Sequence, residues 1–269
     1  MRQVADDAEK VVTAKLNEDF ACAITDPSLA AASACFGRTT VTRLAALPGH
    51  SAYNRARGFN IDDVDYLPEV CAFFAEAGLP PLIEVWAGDA SATLGRRLAH
   101  AGFYAAEVNV TLQAQPARST SATVAGPRGI EIREVAPGDD DSAYLDTLLQ
   151  GYGLHSSSPS PQQTIMAIEH RSPYLRRYLA YVDGQRAAAA ALHTTPQGTY
   201  FAGAATIPAM RHRGCQSALI QRRLHDAATT AHPVVVTAAF GSPSQANLQR
   251  LGFHIVHTRT LWRSFAAAK

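Results

Sequence analysis

The order of periodic segments predicts an α/β (α+β) fold made of two similar halves, each a central mixed, mostly antiparallel sheet flanked by helices. Three observations carry this expectation. A small, polar stretch from Gln113 to Gly129, broken by Pro116 and Pro127, has the composition of a linker and divides the chain into comparable parts. Behind it, hydrophobic periods of two and of 3.6 residues follow one another. A helix end with a Gly stop and an aromatic strand start, Leu98-Ala99-His100-Ala101-Gly102-Phe103, returns as Leu248-Gln249-Arg250-Leu251-Gly252-Phe253 with similar neighbours, which points to a duplicated unit. Chance recurrence of a common junction is the competing reading, and the shared order of flanking elements weighs against it. The expected organisation is one domain over 1–112, a linker over 113–129 and a second domain over 130–269.

In the first half, Asp62 to Ala77 reads as a helix with Val64, Leu67, Val70, Cys71 and Phe74 on its apolar face. Leu82 to Trp86 reads as a buried strand, Ser91 to Ala101 as a helix and Phe103 to Leu112 as a strand. In the second half, Ile130 to Val135 alternates as a strand does, and Asp139 to Asp141 can cap a helix bearing Tyr144, Leu145, Leu148 and Leu149. A Ser- and Pro-rich loop from Tyr152 to Pro161 leads to a short helix with Ile165, Met166 and Ile168. Runs Arg177 to Val182, Arg186 to His193 and Thr199 to Thr206 are joined by hairpin signals at Asp183-Gly184 and Pro196-Gln197-Gly198. A helix from Gly214 carries Ile220, Leu224, Ala227 and Ala228, and Pro233 to Thr237 is a continuous apolar strand. Ser242 opens a helix that Gly252 ends, and Phe253 to Val256 and His257 to Trp262 read as two closing strands.

Composition narrows the function. With 47% hydrophobic and 17% charged residues the chain is a folded globular protein, and a net charge of +1 gives no global field for nucleic acid or membranes. Cys22, Cys35, Cys71 and Cys215 form no CxxC pair and the ten histidines show no metal-ligand spacing, so no metal is expected. The first twenty residues are amphipathic and charged, without an apolar signal region, and no stretch is long enough to span a bilayer. A cytoplasmic protein, monomeric or homodimeric, is expected.

The richest segment is Thr206-Ile207-Pro208-Ala209-Met210-Arg211-His212-Arg213-Gly214-Cys215-Gln216-Ser217-Ala218-Leu219-Ile220. It reads as a strand end, a Pro-marked turn, a basic loop and an amphipathic helix. Amide hydrogens at a helix start lack partners and the helix dipole adds positive charge, so this loop is suited to phosphates. An ordinary strand–turn–helix with a solvated basic turn is the alternative. Cys215 has a packing role facing the sheet as its simpler explanation.

On these residues the second half, from Ile130 to Arg263, resembles a GNAT-type N-acetyltransferase domain. Thr206-Ile207-Pro208 stands in the V-x-P slot that precedes the family's acetyl-CoA loop. Arg211, Gly214 and Gln216 stand at the R, G and final G/A positions of R-x-x-G-x-G/A, and Leu251-Gly252-Phe253 matches the second motif. Two departures accompany the match: Gln216 replaces a small residue, and Leu248 stands where the family often has a Tyr that protonates the departing thiolate. The first half is similar to a degenerate copy, since Asp62, Asp63 and Asp65 at its corresponding helix would repel phosphates.

The resemblance implies a tandem GNAT-like fold and transfer of an acetyl group from acetyl-CoA, as co-substrate, to a small-molecule amine such as an amino acid, amino sugar or amine-bearing antibiotic. It implies that amides from His212 through Cys215, Gln216 and Ser217 to Ala218 hold the pyrophosphate, with Arg211 and Arg213 adding charge. Backbone groups at Ala205, Thr206 and Ile207 would face the thioester and pantetheine arm, flanked by Ser244 and Asn247; Ser242 and Ser244 have helix capping as an equal explanation. An alkylamine of pKa about 10.4 is protonated near neutrality, so some group must accept its proton. His155 is the first candidate, because its loop borders the acceptor site in similar proteins; a solvated loop histidine is the alternative. His193, Tyr200 and Glu169 follow, each with packing or surface exposure as its simpler explanation. A longer acyl-CoA, or a non-catalytic CoA or small-molecule sensor, remain the competing functions.

Overall fold

The computed structural model describes residues 2–116, 129–136, 141–154, 160–230 and 232–265, and the side chains from residue 3 onward. The chain opens with a long helix, α1 (Arg2–Ala23). Its residues Ala8, Val11, Val12, Leu16 and Phe20 recur at helical spacing and are buried, and α1 lies across strands of the second half. Then come β1 (Ala31–Phe36), β2 (Thr39–Leu44) and β3 (Arg55–Arg57), none of which the sequence periodicity announced. A 3-10 turn over Ile61–Tyr66 leads into α2 (Leu67–Ala75). The single helix expected over Asp62 to Ala77 is therefore split. Pro68 has no amide hydrogen for a preceding turn and fits only in a helix's first turn, where it stands in α2.

The half ends with β4 (Leu82–Trp86), α3 (Ala92–His100) capped by Ser91, and β5 (Phe103–Ala114). The expected linker thus begins inside β5, while residues 117–128 lie outside the described residues.

The second half runs β6 (Ile130–Val135), α4 (Ser142–Gly151), α5 (Pro161–Glu169), β7 (Leu175–Val182), β8 (Gln185–Thr195) and β9 (Gly198–Thr206). It continues with α6 (Cys215–Ala227), β10 (Val234–Ala239), α7 (Pro243–Arg250) and β11 (His254–Ser264). Asp141 precedes α4 without a side-chain cap; its carboxylate instead pairs with Arg177 at 3.0 Å, and residues 139 and 140 lie outside the described residues. The β7–β8 hairpin turns through Asp183 at φ 51° and Gly184 at φ 77°, the left-handed pair a tight two-residue turn needs. The two closing strands expected after Gly252 are one. A register shift between Ile255 and His257 marks a bulge at Val256, which breaks the two-residue period without turning the chain.

The eleven strands of the described residues join one sheet, in the order β1-β2-β3-β4-β11-β5-β10-β9-β8-β7-β6. The centre is a reciprocal exchange. β11, from the second half, lies between β4 and β5 of the first; β5, from the first, lies between β11 and β10 of the second. The cores follow suit: Val110, Leu112 and Ala114 of β5 pack with Leu219 and Val234, whereas Trp262 of β11 packs with Leu94 and Leu98. The repeated junctions superpose in kind, with Leu98 and Leu248 buried, Gly102 at φ 84° and Gly252 at φ 92°, and Phe103 and Phe253 buried. Among the described residues no helix is long and apolar enough to cross a membrane, and no group of three or more His, Cys, Asp or Glu side chains could hold a metal ion.

Candidate active site

The site begins where two parallel strands part. β9 and β10 pair only at Thr199–Val234 and Tyr200–Val235, then diverge as β9 runs on to Thr206. A register shift against β8 leaves Gly203 bulged. Only glycine fits there: a Cβ would stand 2.8 Å from Cε1 of His170. Ile207 N–H donates to the Ala187 carbonyl at 2.9 Å, so the antiparallel alternation turns the Ala205 amide toward β8 as well. The amides of Ala204 and Thr206 then face the gap. Ala204 N–H indeed donates to the Tyr152 hydroxyl at 3.1 Å. Gly151, at the end of α4, lets that helix press against β9, since a Cβ there would collide with Ala205.

Beyond β9 a 3-10 turn over Pro208–Met210 brings the chain to Arg211, then to His212 at φ 62° and Gly214 at φ 84°. Alternating left-handed residues aim successive amides to one side, and α6 starts without a side-chain cap, so the first amide to find a helical acceptor is that of Ala218. These groups border a groove of about 490 Å³. Ala205, Thr206, Arg211, His212 and Gly214 line it, as do Cys215, Gln216, Ser217 and Asn247. Arg211 reaches the Gly151 carbonyl at 3.4 Å. The remaining residues assigned to cofactor binding stand elsewhere. Arg213 is drawn to Asp183 at 2.7 Å, the Ile207 amide is used by β8, Ala218 is buried beneath the helix and Ser244 is exposed outside the groove. Ser242 caps α7, accepting from Gln245 N–H at 3.2 Å. The Cys215 side chain packs in the sheet core, where burial pushes its thiol pKa up.

A second cavity, about 240 Å³, adjoins on the other side of the bulge, and Tyr152 lines both. It lies between the halves and holds two sets of charges. One is Lys15 and Asp19 of α1 with Glu169 of α5. The Lys15 ammonium donates to Asp19 and to the Glu169 carbonyl, and the Tyr53 hydroxyl donates to Asp19 at 3.0 Å. Burial pushes the Asp19 carboxyl up to about 7 against the pull of Lys15, with Glu169 raising it further. Glu169 is raised as well, by burial. The other set is Arg55, Arg57 and Arg259 around Glu84 and Glu9, with Arg55–Glu84 at 2.6 Å and Arg259–Glu9 at 2.7 Å. Burial alone would raise Glu84, but Arg259, Arg57 and Arg55 together hold it far below the ordinary carboxylate range.

Of the candidate bases, Glu169 and Tyr200 line this cavity, Tyr200 with its hydroxyl 3.2 Å from Thr237. His193 does not. It is buried under α1 with Nε2 2.7 Å from Glu18. His155 lies outside the described residues. Sequence reasoning missed Asp19, Tyr53, Arg55, Arg57, Tyr152 and Arg259. The i,i+4 spacing of Lys15 and Asp19, and the i,i+2 spacing that puts Arg55 and Arg57 on one face of a strand, were the signals available. Leu248, in the place of the resembled tyrosine, is buried in the core. In the first half, the turn leading into α2 is closed by its own anion: the buried Asp63 carboxylate accepts from Arg38 N–H at 3.1 Å, Thr39 Oγ1 at 2.7 Å and Asn60 Nδ2 at 2.6 Å.

No protein-family model matches this sequence, and no curated protein does. Solved structures do. The chain is similar to a GCN5-related N-acetyltransferase from Kribbella flavida, with TM-score 0.62 and 15% identity, covering 95% of each chain. It is similar to a functionally unknown conserved protein from Staphylococcus epidermidis, with TM-score 0.59 and 15% identity, covering 86% of this chain and 92% of that one. A tandem GNAT protein from the clavulanic acid biosynthesis pathway gives TM-score 0.51 and 14% identity over 71% of this chain and 65% of its own. The fold is that of a tandem GCN5-related N-acetyltransferase.

Proposed function

We propose that the protein is an acyltransferase that moves the acetyl group of acetyl-CoA to a small amine. The observation that carries this reading is the meeting of groove and cavity at Tyr152, whose hydroxyl accepts from Ala204 N–H beside the Thr206 amide. The residues present fit the co-substrate. Uncapped amides at Cys215, Gln216 and Ser217, with Arg211 beside them, suit a diphosphate, and the gap between β9 and β10 suits an extended arm. The thioester supplies an activated acyl carbon, to which the amine nitrogen bonds as the C–S bond breaks and the thiolate takes the second amine proton. No side-chain acid at Leu248 is then required.

The chain's own groups do the rest. The Tyr152 hydroxyl, held by Ala204 N–H and with its pKa pushed up to about 12 by burial, stays protonated and donates where negative charge develops, the Thr206 amide beside it. Asp19 and Glu169 accept the first ammonium proton; burial raises both carboxyls, Asp19 to about 7, which places its part of that task near neutrality. Proton acceptors set opposite the groove favour an enzyme over a sensor, which has no use for them. Both halves build the acceptor cavity, so the reading needs no second copy of the chain.

Calorimetric titration with acetyl-CoA, beside an Arg211→Ala/Gly214→Asp double variant, tests the groove. The wild type should bind and the variant should lose at least about tenfold in affinity, since an Asp at φ 84° is strained and sets an anion against the diphosphate. Thiol release against a panel of amines then tests turnover. A wild type that does not bind acetyl-CoA removes the reading.

A further inference from the structure

The acceptor cavity sorts its charges. At the end near Tyr152 and the bulge, Asp19 and Glu169 face the cation Lys15. At the other end Arg55, Arg57 and Arg259 face the carboxylates Glu84 and Glu9. With every group ionised, each end carries one charge more than it neutralises, negative beside the bulge and positive across from it, and Asp19, pushed up to about 7, reaches that state as the pH rises past neutrality. Other ionisable groups facing these sets are Glu18 and His193 beside Lys15, His50 beside Arg55, His257, bonded to Glu9 at 2.7 Å, His170, and the phenols of Tyr53, Tyr152 and Tyr200.

Arg57 carries the surplus. It is 8% exposed, lines the cavity and, among the described residues, makes no ion pair within 4 Å; its guanidinium donates to the Ala52 carbonyl, and its Nε has no hydrogen-bond partner among those residues. Arg259 likewise leaves Nε unpartnered. A buried guanidinium without a carboxylate is costly unless something anionic completes it. Burial, followed by the neighbouring Arg55, draws the Arg57 pKa down to about 10, as expected of a cation short of counter-charge.

Resting on the acyl-transfer reading, we infer that the acceptor is a small zwitterion, an amine that also bears a carboxylate. Its ammonium sits between Asp19 and Glu169 beside the Gly203 bulge, and its carboxylate completes Arg57. An amine lacking an anion leaves Arg57 as it is, and a polycationic amine, such as an aminoglycoside, meets a repelling wall. The volume of about 240 Å³ suits a molecule of amino-acid size.

The test uses the protein amino acids and γ-aminobutyrate, each beside the amine left when its carboxylate is removed: L-serine with ethanolamine, γ-aminobutyrate with propylamine. Thiol release from acetyl-CoA is measured for each pair, and thermal-shift binding is measured for each without acetyl-CoA. At least one acid should exceed its amine by about 100-fold or more in kcat/KM and alone should raise the melting temperature. Arg57→Gln should collapse that acid-over-amine ratio toward one, mainly through KM, and Arg57→Lys should restore part of it. A folded protein that uses or binds the amines as well as the acids, or none of the acids, overturns the inference. Acids that bind while no thiol is released would instead overturn acyl transfer and leave the zwitterion cavity standing.

Discussion

Asp19 is the residue on which pH acts. Its carboxyl is pushed up to about 7, so it accepts a proton only above that value, and kcat/KM should rise with pH through neutrality. Asp19→Asn should flatten that limb in a thiol-release pH profile and lower the plateau by roughly 10²- to 10⁴-fold. Tyr152→Phe keeps the ring and removes the hydroxyl beside Ala204; kcat should fall about 10- to 100-fold while acetyl-CoA affinity by calorimetry holds. None of this was legible at the residue scale. Asp19 sits in a charged stretch that reads as a solvated helix face. It is buried only because α1 crosses to the second half and meets α5, a contact between distant segments that local periodicity does not encode. Glu169 is among the sequence's candidates as an acid on the second short helix, with packing or surface exposure as its simpler explanation, but its partners are not legible there.

At the scale of elements, the legible parts are those whose function depends on local geometry. The α6 start could be read because Gly214, the Pro208 turn and the basic residues act within one loop. β1 to β3 could not. β1 is the small-residue run AASACF at the sheet edge, and β3 is three residues long with both arginines buried, the reverse of what composition suggests. Glu84 of β4 pays for that burial by neutralising Arg55 and Arg259. Glu84→Gln should destabilise the fold by about 3–5 kcal/mol in urea titration at pH 7, because it leaves buried guanidiniums uncompensated. Since the folded-state pKa of Glu84 is depressed, its stabilising contribution is present above the ordinary value near 4.3 and lost as pH falls through the folded value. The wild type should therefore lose stability in acid, and the variant should lose less.

For the whole molecule, the exchange of β5 and β11 decides what counts as a unit. A helix–Gly–Phe junction seen twice in the sequence pointed to duplication, yet it said nothing of which sheet each following strand would join. Local pattern fixes that a strand forms; which partner it takes depends on chain-wide packing. With a protease site inserted between Gln115 and Gly129, the cut protein should elute as one species by size exclusion and part only in denaturant, since each fragment holds a strand of the other's sheet. Leu112→Ala, in β5, should cost about 2–5 kcal/mol and loosen the second half, measured by hydrogen exchange at α6 and β10. The exchange also bears on birth. β4 and β5 leave the ribosome with a slot between them that β11 fills, about 150 residues and roughly 8 to 30 seconds later at ~5–20 residues per second. Throughout that interval two strand edges stand open to any passing polypeptide, so the nascent chain has reason to need a chaperone well before its last strand is made.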